Sequence, residues 1–98
     1  MHVIARPALL TFGAVHPAAK ESLETWYRIM RRADFQNFSE LRKTFASADY
    51  VDGFTVFDIG GNKFRLIAVI RYEWQKVYIR TVLTHKEYDK GAWKRGKQ

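Results

Sequence analysis

Between Phe64 and Tyr72 the chain alternates as F-R-L-I-A-V-I-R-Y, and after Glu73-Trp74-Gln75 a second extended run follows, Lys76 to Thr84. A period of two marks a strand with two unlike faces. A break this short lets the second strand only double back beside the first. One face of the pair takes Phe64, Leu66, Ala68, Ile70 and Tyr72, with Val77, Ile79, Thr81 and Leu83 from the partner strand. That is the predicted core face. The other takes Lys63, Arg65, Ile67, Val69 and Arg71, facing Tyr78, Arg80, Val82, Thr84 and Lys86. Slipping the register by one residue would bury the arginines, so the pairing is strongly specified. Arg65, mid-face and directed away from the core, is expected to be dispensable for folding.

The remaining segments build on this pair. Phe54–Ile59 reads as a preceding strand, joined to it by the turn Gly60-Gly61-Asn62, with glycine where positive φ is required. His2-Val3-Ile4-Ala5 reads as a short opening strand. Pro7 suits the first turn of a helix, whose apolar stripe would be Leu9, Leu10, Phe12 and Val15. His16-Pro17 ends it, because a residue before proline avoids the helical region. The apolar stretch Ala8–Val15 is read as this helix and not as a leader core. A second helix is predicted over Ala18–Ala33, with Leu23, Trp26, Tyr27 and Met30 on one face. Its acidic residues come early and its arginines late, which complements the helix dipole. Ser39 is the expected N-cap of a short helix, Glu40–Phe45, with Leu41 and Phe45 turned inward. The expectation is a single α+β domain, residues 1–98, with two N-terminal helices packed on one face of an antiparallel sheet.

Charge is distributed unevenly over this framework. Residues 60–98 hold ten Lys/Arg and three Asp/Glu, whereas residues 1–59 hold seven of each, so the strands and tail carry the whole net charge of +7. Cations gathered on one sheet face are suited to a polyanion. The absence of cysteine excludes a disulfide framework, a cysteine zinc site and a thiol nucleophile, and suits the cytoplasm. No apolar run approaches the roughly 20 residues of a membrane span.

The residues able to carry chemistry are Lys63, Arg65, Arg71, Tyr78, Arg80, His85, Lys86 and Tyr88, with Lys94 and Arg95 extending the cationic set. Guanidinium groups hold phosphate oxygens in a fork and keep their charge. Histidine exchanges protons near neutral pH, and tyrosine stacks on a base or donates a proton. Cleavage of RNA by its own 2′-OH needs a base for the hydroxyl, cations for the charged phosphorane and an acid for the leaving 5′-oxygen. No metal or cofactor is required. Tyr88 lies three residues beyond His85, so a turn there would return its ring over the cationic face. Arg65 and Lys86 would then lower the pKa of either group. On pattern alone the arginines also serve solubility, and Trp93-Lys94-Arg95-Gly96-Lys97 reads as a frayed tail. His85, Glu87 and Asp89 alternate without a second supporting cluster, so no metal site is assigned. Gly60-Gly61-Asn62-Lys63 lacks the Walker spacing, and His85-Lys86-Glu87 lacks the downstream cysteines of a deaminase.

Three fragments together carry a family resemblance: Phe57-Asp58-Ile59-Gly60-Gly61-Asn62-Lys63-Phe64-Arg65-Leu66, then Val77-Tyr78-Ile79-Arg80, then Thr84-His85-Lys86-Glu87-Tyr88-Asp89. The chain resembles the HigB toxins of bacterial type II toxin–antitoxin systems, in the RelE/ParE superfamily, over nearly its whole length. The resemblance implies a RelE-like fold and an mRNA endonuclease acting in the ribosomal A site. It also implies suppression by a HigA-type helix-turn-helix antitoxin. It puts Arg65 at the phosphate-binding sheet arginine, and the run from His85 to Tyr88 at the segment that holds the last catalytic basic residue and tyrosine. Which of His85 and Lys86 acts is left open. The catalytic set is thus Arg65, His85 and Tyr88, with Lys63, Arg71, Tyr78, Arg80, Lys86, Lys94 and Arg95 as RNA-binding residues. The alternatives are a ParE-like toxin that blocks DNA gyrase without cutting, and a non-catalytic RNA-binding module. A histidine and tyrosine beside the arginines favour the nuclease, since pure binding needs no proton-transfer group.

Overall fold

A computed structural model describes the backbone of residues 1–96 and the side chains of residues 1–94. The chain begins with β1 (His2–Ile4) and continues through three helices, α1 (Pro7–Val15), α2 (Pro17–Arg32) and α3 (Phe38–Thr44). Strands β2 (Asp49–Val51), β3 (Phe54–Ile59), β4 (Phe64–Arg71) and β5 (Lys76–Thr84) follow, then helix α4 (His85–Lys90) and a 3-10 turn, Ala92–Gly96. The five strands form one sheet in the order β1-β5-β4-β3-β2. Neighbours within β2–β5 run antiparallel, while β1 adds to β5 in parallel. No helix among the described residues is long and apolar enough to cross a membrane.

The amphipathic helix α2 determines how the layers stack. Ala19, Leu23, Trp26 and Met30 recur at three- and four-residue spacing and are all buried, so one stripe faces the sheet. There they meet Phe57, Ile59, Leu66, Ala68, Val77, Ile79 and Val82. Leu41 of α3 and Leu9 of α1 complete this core. The expected stripe of α1 is only half right: Leu10 and Val15 are 53% and 69% exposed. That helix turns Leu9 and Gly13 inward instead. A Cβ at Gly13 would stand 3.4 Å from the Lys20 backbone, so α1 and α2 approach closely there. The N-cap of α3 is Asn37, whose Oδ1 accepts from the Glu40 amide at 2.9 Å, and not Ser39.

The pairing of β4 with β5 departs from simple alternation. Ile67 pairs with Thr81 and Ala68 with Ile79, so Arg80 is the extra residue of a β-bulge. An extra residue reverses the faces beyond it. Val82 therefore lies opposite Leu66 in the core, while Thr81 and Leu83 move to the outer face. The expected assignment holds for Val77, Tyr78 and Ile79 and fails for Thr81 to Thr84. The outer face is also less open than the alternation implies. Phe54, Val56 and Ile67 are buried in a second cluster, against which Leu83, Tyr88 and Trp93 pack. This cover is supplied by α4 and the turn after it.

Candidate active site

The β3–β4 hairpin fixes the first part of the site. Gly60 and Gly61 both take positive φ, 63° and 72°, a conformation open to glycine at little cost. The resulting register puts Asp58 directly across from Arg65 on the outer face. Arg65 does not reach into solvent; it is 8% exposed. Its Nε lies 3.2 Å from Asp58 Oδ1. Its Nη1 donates to the carbonyls of Asn62 and Phe64 at 3.3 and 3.1 Å. Its Nη2 donates to Asn62 Oδ1 at 2.6 Å and to His85 Nδ1 at 3.0 Å. A guanidinium has five N–H bonds, and here each has an acceptor. A buried cation needs such partners. Arg65 is therefore part of the fold, contrary to the expectation that it is dispensable for folding.

His85 opens α4, and its amide donates to the Lys63 carbonyl at 2.9 Å. Arginine only donates hydrogen bonds, so Nδ1 must accept from Arg65, which leaves the ring proton on Nε2. That nitrogen stands 3.1 Å from Asp89 Oδ2, one helical turn along. The imidazole is thus held from both sides in one tautomer.

The sequence Thr84-His85-Lys86-Glu87 explains why a helix starts here. The Glu87 amide donates to Thr84 Oγ1 at 3.2 Å, and the Thr84 amide donates to Glu87 Oε1 at 3.0 Å. This is a reciprocal capping box, and it holds the Glu87 carboxyl below its ordinary range. Gly91, at φ 75°, ends the helix. Just under one turn of α4 returns Tyr88 over the sheet, with Arg65 Cζ 5.4 Å from the centre of its ring. Trp93 stacks on Tyr88 at 5.1 Å and 14°, and its Nε1 donates to the Tyr88 carbonyl at 3.1 Å. The other edge of Trp93 meets Phe54 at 5.5 Å. Burial raises the Tyr88 phenol above its ordinary value, and Asp49 adds to this while Arg65 opposes it. The expected lowering does not occur, because lost hydration outweighs the nearby cation. Tyr88 is therefore held as a neutral phenol and not as a phenolate.

Arg65, His85 and Tyr88 are therefore brought together, with Lys63 and Lys86 exposed beside them. Arg71, Tyr78 and Arg80 stand at the other end of the outer face and line a cleft of ≈ 490 Å³ with Tyr50 and Trp74. A second cleft of ≈ 540 Å³, bounded by Leu83, Lys90 and Trp93, shares Phe54 and Arg80 with the first. Lys94 holds its Nζ 5.6 Å over the Trp93 ring. The Arg95 side chain lies outside the described residues. Among the described residues no three His, Asp or Glu side chains are grouped to hold a metal; Glu87 is turned into the α4 cap.

Sequence reasoning missed Asp58, Asn62, Asp89 and Trp93. Counting outward from the Gly60-Gly61 turn would have paired Asp58 with Arg65. The T-x-x-E capping signature would have announced α4, and with it the i,i+4 pair His85–Asp89. Trp93, read as tail, had no local signal.

A two-layer α+β domain with helices on one sheet face, and arginine, histidine and tyrosine gathered on the other, has the architecture of a RelE-like toxin. The model of the HigB toxin family, described as the RelE-like toxic component of a toxin–antitoxin system, matches residues 19–91, and the chain belongs to that family. An antitoxin is accordingly its partner. The chain is 38% identical over 92 residues to the mRNA interferase toxin HigB of Escherichia coli K12, covering 91% of this chain and 88% of that protein. The mRNA interferase HigB of Shigella flexneri matches to the same extent. The mRNA interferase HigB of Escherichia coli O6:H1 is 30% identical over 93 residues, 92% of this chain and 90% of its own length.

Proposed function

We propose that this chain is an endoribonuclease that cleaves mRNA by attack of the RNA's own 2′-OH, and that Arg65, His85 and Tyr88 carry the reaction. The observation that supports this most is the contact of all three groups, with Arg65 Nη2 3.0 Å from His85 Nδ1 and its Cζ 5.4 Å from the Tyr88 ring. The relatives named mRNA interferases point the same way. A phosphate entering the site offers Arg65 Nη2 a charged acceptor in place of His85, which frees Nδ1. His85 then takes the proton of the 2′-OH, the 2′-oxygen bonds to phosphorus, and Arg65 stabilises the phosphorane charge. The bond from phosphorus to the 5′-oxygen breaks as Tyr88 supplies that oxygen's proton. The products are a 2′,3′-cyclic phosphate and a 5′-hydroxyl, and no metal or cofactor takes part. Lys63, Lys86, Arg71, Tyr78, Arg80 and Lys94 supply cations and a ring along the path of the strand, with Arg95 a further candidate.

The site of action in this reading is mRNA in the ribosomal A site, in the cytoplasm, and the antitoxin is of the HigA helix-turn-helix type. Induced expression should arrest growth and leave mRNA fragments with cyclic-phosphate ends. His85→Gln and Tyr88→Phe, each folded, should lose most of the cleavage, and His85→Gln should also lose the acidic limb of the pH–rate profile. Intact mRNA with DNA-damage signals would instead support gyrase inhibition. Wild-type cleavage by both variants would move the chemistry elsewhere.

A further inference from the structure

Tyr50 and Trp74 are 60% and 62% exposed, the most exposed of the described Phe, Tyr and Trp rings. Single exposed apolar residues are ordinary on a protein surface. These two line the same cleft, and Arg71, Tyr78 and Arg80 line it with them.

Trp74 is also held in place. It ends a 3-10 turn, Tyr72–Trp74, closed by Gln75 in the left-handed region at φ 53°. Gln75 Nε2 donates to the carbonyls of Phe35 and Tyr72 at 2.7 and 3.0 Å. The Gln75 carbonyl accepts from the His2 amide at 2.7 Å. The turn is thus tied to β1 and to the segment before α3, so the exposed ring sits on a fixed support. Tyr50 lies across the cleft on β2, with Phe38 5.9 Å from its ring.

Fixed aromatic rings beside guanidinium groups are what an unpaired nucleic-acid strand requires: π-faces for its bases and charge for its phosphates. A duplex offers no free base faces. We propose that Tyr50 and Trp74 form a base-stacking subsite for single-stranded RNA, remote from the reacting phosphate; this rests on the reading of the chain as an RNA-cleaving toxin. Strand β4 runs from Arg65 to Arg71, six steps or about 20 Å. A stacked strand rises about 3.4 Å per nucleotide, so the subsite lies within about six nucleotides of the cut. It would hold bases some nucleotides along the strand from the cleaved position without reading their identity, while Arg65, His85 and Tyr88 act on the phosphate presented to them.

The test is binding of a fluorescein-labelled, 12-nucleotide 2′-O-methyl RNA, which lacks the attacking hydroxyl, measured by anisotropy. Trp74→Ala should weaken binding about 5- to 150-fold, the range for loss of one stacked base. Trp74→Phe should restore most of it, and Tyr50→Ala should act in the same direction. A hairpin duplex of the same sequence should bind more weakly and ignore Trp74. Absence of measurable binding by the wild-type protein overturns the subsite. So does an unchanged affinity in both alanine variants, including the case in which they lose the antitoxin instead. RNA held through Trp74 by a protein that leaves cellular mRNA intact would overturn the nuclease reading and keep the subsite.

Discussion

Arg65 shows how far a single side chain can differ from its place in a pattern. An arginine at an outward strand position reads as solvated, yet its five N–H groups are all occupied and its carbons are covered. Removing it leaves the partly buried Asp58 carboxylate without its cation, while the exposed Asn62 can turn to water. Arg65→Ala should therefore cost about 2–4 kcal/mol, somewhat below the range for a fully buried pair because Asp58 keeps access to water. Urea denaturation would show this, and an unchanged midpoint would place the guanidinium outside the fold's stability. Tyr72 gives a prediction of opposite sign. Its hydroxyl is buried without a hydrogen-bond partner among the described residues, and burial pushes its pKa up to about 12 from 10.0. A raised pKa means that the unfolded chain loses this proton first. The stabilisation is complete below pH 10 and disappears as pH rises towards 12. Tyr72→Phe should match or exceed wild-type stability at neutral pH, since no bond is lost. It should also flatten the alkaline decline in thermal melting.

At the scale of elements, α4 is the piece on which the site depends. Six residues make too short a helix to persist alone; its cap and the packing of Tyr88 against Trp93 hold it. Thr84→Ala removes the cap oxygen and should cost about 1 kcal/mol, with a larger proportional loss of RNA cleavage because His85 and Tyr88 lose their common support. Glu87 adds a pH dependence. Its pKa is lowered in the fold, chiefly by the Thr84 amide. Its contribution is present above the ordinary carboxyl range and is lost as pH falls through the lowered value. Melting curves of wild type and Glu87→Gln should converge in acid and separate near neutrality. The elements with strong local signals were legible. Strands Phe54–Ile59 and Lys76–Thr84 have the bounds that the sequence predicts, and α2 differs by one residue at each end. Strand β2 and helix α4 were missed. Three residues of strand have too little period to register, and α4 was concealed because its only signature is a cap.

At the scale of the molecule, the consequential feature is the bulge at Arg80. It turns Val82 into the helix-facing core and Leu83 towards the outer cluster, so one strand serves two cores in succession. Deleting Arg80 should restore uninterrupted alternation while leaving residues 81–84 opposite the same β4 partners, since Thr81 would then follow Ile79 directly across from Ile67. Leu83 would stay on the outer face and Thr84 would still lead into α4. The expected outcome is a protein that still melts cooperatively, and loss of a cooperative transition would show that the local twist of the bulge is itself required. The sequence by itself determined the layering, because hydrophobic periods of two and 3.6 are local and survive without knowledge of partners. It also singled out the arginine, histidine and tyrosine of the candidate site, since their order along the chain and their family resemblance are properties of the string. Only the tertiary structure decided which cation is buried, whether the tyrosine's proton is loosened or tightened, and which face Thr81 to Thr84 present. Each of these depends on groups distant in sequence: Asp58 across the turn, the apolar cover from Trp93, and one extra residue inserted between the β5 partners of Ile67 and Ala68. Burial and register are relations between segments, and no single segment contains them.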